Sequence, residues 1–191
     1  MRRTLLFVLA LIASGCVEPP IPRNLDDLSM QGPQYLDPET LEPYSGPAYR
    51  MSEDDSTQIV LRVNLRDGRF HGDFEDFEPD DVPGSLDLYQ TGTYRDGQRE
   101  GRFEYFYPSG VLRGRGTYEN GLQEGPYESY YESGEPRNKF NYTDAEQDGP
   151  FESYHESGQL ERRGTANMGQ KCGEWIEDGK TVTYDPCPPP A

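Results

Sequence analysis

Few side chains in this 191-residue chain could do covalent or metal chemistry, and their spacing favours attachment and crosslinking over catalysis. There are three cysteines. Cys16 closes the segment MRRTLLFVLALIASGC, in which Arg2 and Arg3 precede an apolar run from Leu5 to Ala13 and small residues lead up to the thiol. That is the layout of a secretory leader, and its apolar run is shorter than the ~18–20 residues that span a bilayer. Cys172 and Cys187 form an even pair in an exported chain, which reads as a disulfide; two free thiols are the alternative. The only histidines are His71 and His155. There is no HExxH, no GxSxG and no phosphate-binding glycine loop. Asp73, Glu75, Asp76, Glu78, Asp80 and Asp81 make the densest acidic run, but without the DxDxDG spacing of a calcium loop they read as a solvated acidic loop.

Positioning these residues falls to a repeat. Gly101, Gly125, Gly149 and Gly173 stand 24 residues apart, and Gly110, Gly134 and Gly158 keep the same period. Looser copies start at Gly46 and Gly72, the second with extra residues around Asp80-Asp81-Val82-Pro83-Gly84 that are placed in a loop. A period of this size marks one supersecondary unit that buries its faces by stacking on its neighbours. No stretch free of turn signals reaches helical length, so each unit is two short strands joined by turns. One turn lies at Pro108-Ser109-Gly110 and its equivalents; Pro108 favours a four-residue loop there. The other carries Asp67-Gly68, Asp96-Gly97, Asn120-Gly121 and Asp178-Gly179, dipeptides that supply positive φ. The third full unit has Asp144-Ala145 instead, which suggests a different geometry.

Charge fixes a register. With Tyr107 opposite Leu112, Glu104 meets Arg115, Glu128 meets Lys139 and Glu152 meets Arg163, giving a cross-strand ion pair in every strict repeat. The same register sets Phe103 against Gly116, Tyr127 against Phe140 and Phe151 against Gly164, so one face is aromatic and the other charged. Phe106, Tyr130 and Tyr154 then project from the charged face, about 9–10 Å apart because two strands intervene. With His155, which occupies the position of Tyr107 and Tyr131, they are the candidate binding residues; rings that merely cover neighbouring strands are the alternative. In the last hairpin Glu177 faces Lys180 and Gly173 faces Tyr184, which brings Cys187 near Cys172.

The pattern Tyr118-x-x-Gly121-x-x-x-Gly125-x-Tyr127-x-x-Tyr130-Tyr131-x-x-Gly134 resembles the MORN-repeat variant of bacterial proteins labelled YwqK-family antitoxins. It recurs as Tyr94, Gly97, Gly101, Phe103, Phe106, Tyr107 and Gly110, and as Gly149, Phe151, Tyr154, His155 and Gly158. The resemblance covers roughly residues 44 to 184. It implies an elongated, twisted antiparallel meander that binds protein or lipid and carries no catalytic group. Ala13-Ser14-Gly15-Cys16 likewise resembles a bacterial lipobox, in which the cysteine is lipidated, and Val17 after it implies outer-membrane sorting in a host with two membranes.

The expected organisation is a leader at 1–15, a Pro- and acid-rich tether at 17–43, an all-β domain of MORN-like hairpins at 44–187 and a tail at 188–191. Only 32% of residues are hydrophobic, so burial must come from a thin sheet of rings, fourteen of them tyrosines. A formal charge of −17, falling to −19 without Arg2 and Arg3, argues against nucleic acid as a partner. The sequence therefore reads as a non-enzymatic envelope lipoprotein without a cofactor or metal, offering a repeat surface to an envelope protein, lipid or glycan. A toxin-neutralising lipoprotein is one alternative. An envelope glycan-acting enzyme is the other, and needs two carboxylates about 5–9.5 Å apart.

Overall fold

In a computed structural model, residues 21–79 and 86–188 are described, and they form one large, mostly antiparallel sheet without barrel closure. The expectations for the leader and Cys16, for the loop at 80–84 and for the last residues of the tail lie outside the described residues. From Gly46–Met51 onward, strands that are neighbours in the sheet follow one another in the chain up to Lys180–Thr183. The result is a meander of stacked hairpins with Gly101–Phe106 and Leu112–Glu119, Gly125–Tyr130 and Pro136–Thr143, and Glu146–Tyr154 and Leu160–Asn167 at its centre. The acidic residues Asp73 to Glu78 lie within the strand Gly72–Pro79 and not in a loop, with Glu75 ion-paired to Arg62 at 3.1 Å.

The register across the hairpin bodies is the one that charge dictated: Phe103 faces Gly116, Glu104 faces Arg115, Tyr127 faces Phe140, Glu128 faces Lys139, Phe151 faces Gly164 and Glu152 faces Arg163. The tips differ from expectation. Tyr107 donates its N–H to Val111 O, and Gly110, at positive φ, donates to Tyr107 O, so the loop has three residues and Tyr107 does not face Leu112. This is a type I turn closed by a left-handed glycine, which accommodates Pro108 at its second position. A bulge then restores the body register, because Phe106 pairs with Leu112 while Tyr105 pairs with Gly114, leaving Arg113 as the extra residue. The same bulge falls at Arg137 and Glu161.

At the opposite tips, pairs of consecutive residues take positive φ, the geometry that matches strand twist. Asn120 and Gly121 have φ of 51° and 87°, and Asp144 and Ala145 have 51° and 67°. The Ala145 loop therefore keeps the common geometry despite its sequence. The preceding turn enforces it: Ala145 N–H donates to Gln123 O, and Asp144 N–H donates to the Glu124 carboxylate at 3.0 Å, just as Gly121 and Asn120 donate to Arg99 O and Glu100. Each turn is thus hydrogen-bonded to the one before it. Gly125, at φ +79°, has open space where a Cβ would sit, so this column is chosen for backbone conformation and not for close approach.

The segment expected to be a tether is folded from Arg23 onward. Arg23–Asn24 pairs in parallel with Gly46–Met51, a short helical turn follows at Leu25–Asp27, and Ser29–Gln31 pairs with Gln34–Leu36. Leu25, 2% exposed, packs with Leu28 onto Ala48, Val63, Leu65 and Phe74. The physical reason is that the first hairpin has no preceding repeat to cover its apolar side, and a terminal repeat exposed in this way requires a cap. The backbone shows the substitution directly, since Gly68 N–H donates to Tyr44 O where later turns donate to a preceding repeat. At the other end Cys172 and Cys187 form a disulfide, with Cα atoms 4.8 Å apart, beside the expected pairing of Glu177 with Lys180.

Candidate binding faces

Strand alternation divides the sheet into two chemically distinct faces. On one, residues directly opposite one another run transversely as Arg62, Glu75, Thr91, Glu104, Arg115, Glu128, Lys139, Glu152 and Arg163. The expected ion pair within each hairpin is redistributed. Arg115 turns away from Glu104 and binds Glu128 of the next hairpin at 2.7 Å, whereas Glu104 is paired with Arg102. Lys139 lies over the Tyr154 ring, 6.0 Å from its centroid, and makes no ion pair among the described residues.

Tyr130 and Tyr154 sit on this charged face as expected, and both are committed to the chain itself. Tyr130 donates its hydroxyl to Glu128 at 2.7 Å, and Tyr154 donates to Glu152 at 2.6 Å. The Tyr130 hydroxyl, followed by the Arg115 guanidinium, holds the Glu128 carboxyl below its ordinary range. Phe106, half-buried, opposes Leu112 at the bulge. His155 does not join them. It occupies a hairpin tip, where its Nε2 lies 3.7 Å from Asp178, while the equivalent Tyr107 and Tyr131 donate hydroxyls to Tyr130 O and Tyr154 O of the following hairpin.

The other face is a wall of rings. Phe70, Tyr94, Phe74, Phe103 and Tyr118 form one contiguous set, with centroids 4.7 to 6.1 Å apart. Tyr142, Tyr127, Phe140, Phe151, Trp175 and Tyr184 form a second. Glycine makes room for the stacking: a Cβ on Gly92 would stand 2.8 Å from the Phe103 ring, and one on Gly116 would stand 3.0 Å from Tyr127. Phe103 is consequently fully buried. Beside it, Tyr105 and Tyr118 share a 3.0 Å hydroxyl contact, and Arg99 donates to Tyr118. Burial, and then the bond to Tyr118, pushes the Tyr105 phenol well above its ordinary range.

Beside the second ring set, toward Tyr105 and Tyr107, lies a groove of about 520 Å³ bordered by Arg113 and Arg137, which pairing without a bulge would put on the charged face. Without a bulge Arg113 would oppose Phe106; with it, Arg113 joins Gly114 on the aromatic side and lies over the Tyr107 ring. Their 24-residue spacing was visible in the sequence, but their face was not.

The class of molecule is now defined: an open β-hairpin repeat protein with two broad, periodic faces. Its three central units, residues 99–120, 123–144 and 147–167, match the family model described as MORN repeat variant, so the repeats are similar to that variant. No curated protein matches the chain.

Proposed function

We propose that this protein is a non-enzymatic binding module of the cell envelope, held to the membrane by lipid on Cys16. It presents its repeat faces to an envelope protein, lipid or glycan. The observation that carries the reading is the continuity of the two faces: one sheet repeats the same side-chain chemistry every 24 residues across its central hairpins. Such a surface suits an extended partner better than a small substrate, which is held in a concave pocket by a few convergent groups. Support for the anchor comes from the leader that ends at Ala13-Ser14-Gly15-Cys16, and Val17 favours the outer membrane of a diderm host.

Fractionation of cells expressing the full chain tests the anchor. The protein should sediment with membranes, and Cys16→Ala should release it. An unmodified Cys16 in intact-mass data from native membranes refutes the anchor. Crosslinked pull-down from those membranes should recover an envelope component; enrichment of cytoplasmic proteins alone would defeat the envelope reading.

A further inference from the structure

The extra residue of the hairpin bulge is Val60, Tyr89, Arg113, Arg137 and Glu161 in successive hairpins. Of these, Tyr89, Arg113 and Arg137 line one groove, so arginine occupies this place in two of the three hairpins that border it and in neither of the other two. Each guanidinium lies over a tyrosine of its own hairpin, Arg113 6.0 Å from the Tyr107 centroid and Arg137 5.5 Å from that of Tyr131. Neither forms an ion pair among the described residues, although acidic residues outnumber basic ones 35 to 18 and arginines such as Arg23, Arg62, Arg66 and Arg115 are paired. Arg113 and Arg137 line the same groove as Tyr127, whose phenol burial pushes upward while the two cations act the other way. Ser129 and Asn138, joined at 2.9 Å, supply polar groups in the groove beside Tyr127, Phe140 and Tyr142.

We propose that this groove binds an acidic oligosaccharide, with Arg113 and Arg137 receiving carboxylates on alternate sugars of the chain. The arginines stand two strand spacings apart, with only Gly125–Tyr130 between their strands, or about 10 Å, a length comparable to two sugar units in an extended chain. Tyrosine rings suit the C–H faces of sugars, and hydroxyl and amide side chains suit their hydroxyl groups. An acidic peptide added as a further strand fits less well, because that mode takes its main-chain bonds at a sheet edge. Here the groove lies on a face, where the central strands bond to neighbours on both sides. A neutral glycan would leave both guanidinium groups without a charged partner. The proposal rests on the reading of the chain as a binding module and assigns a ligand class to one of its faces.

The test uses the full chain purified in detergent and titrated calorimetrically with tetragalacturonate, neutral cellotetraose and a tetraglutamate peptide. The acidic glycan should bind, weakening as salt is added, with the other two at least tenfold weaker. Arg113→Gln and Arg137→Gln should each reduce affinity by about tenfold or more, the scale of one charge-assisted contact. Both side chains are exposed, so both variants should fold, and Arg115→Gln on the opposite face should bind as the parent does. No saturable binding up to millimolar tetragalacturonate, binding indifferent to both substitutions, or equal binding of cellotetraose or the peptide would overturn the proposal. Those results concern one groove; loss of membrane attachment or of envelope partners would instead refute the broader function.

Discussion

Gly164→Ala should unfasten the end of the array. Gly164 faces Phe151, and on its other side the Trp175 indole packs against its α-carbon so closely that an added methyl would overlap the ring. Trp175 is 3% exposed, and its Nε1 donates to both Thr165 O and Cys172 O, at 3.0 and 3.1 Å. To admit the methyl the indole must move, which adds an overpacking cost of about 1–3 kcal/mol. Displacing the indole N–H from its carbonyls while it stays buried adds roughly 1 kcal/mol or more. A total of about 3 kcal/mol corresponds to a melting temperature lower by roughly 6–12 °C in a chain of this size. In a repeat array each unit is stabilised chiefly by its neighbours, so the loss should be local. Hydrogen exchange should accelerate across residues 170–183 first, while 101–118 keeps its protection. Trp175 is the only tryptophan, so its fluorescence should shift to the red as it gains solvent. Gly158→Ala is the control: there a Cβ meets open space, and only the strain of φ +81° remains, about 1 kcal/mol. Unchanged indole fluorescence together with a melting temperature within 1–2 °C of the parent, on the scale of the conversion above, would refute the packing account.

Ala145→Gly should raise stability by roughly 0.5–1 kcal/mol, since glycine relieves a left-handed alanine and keeps the N–H that bonds Gln123; an unchanged or lower unfolding midpoint in urea contradicts this. A double-mutant cycle on Arg115 and Glu128 should give about 0.2–1 kcal/mol of favourable coupling, reduced by salt because both side chains are partly exposed. The Glu128 carboxyl is held below its ordinary 4.5, so its contribution should be present above that pH and disappear as pH falls through the lowered value. A Glu128→Gln variant should accordingly lose part of the acid limb of the stability curve, and an identical limb would show that the carboxylate is not stabilising. Leu25→Ala should destabilise by about 2–4 kcal/mol if the leading segment caps the first hairpin; limited proteolysis would then cut near residues 23–36 first, and an unaltered digest would restore the tether reading.

Periodicity and parity sufficed to read the hairpin array, its two faces and the pairing of Glu104 with Arg115 or Tyr127 with Phe140 from the residues alone. In a half-buried sheet a slip of one residue turns every ring outward, so the pattern permits one register over a strand body. The close of the last hairpin was legible too, because Asp178-Gly179 fixes the turn and the turn fixes how near Cys187 comes to Cys172. Tertiary structure decided what depends on neighbours that are distant in sequence. Leu25 and Leu28 stand among prolines and acids without any period, and only the uncovered side of the first hairpin gives them a place to pack. Ala145 follows the turn geometry of glycine because the preceding repeat holds the backbone of Asp144 and Ala145. Arg113 and Arg137 reach the aromatic face because a bulge adds one residue to one strand, and parity counted through a bulge assigns every residue up to the loop to the wrong side.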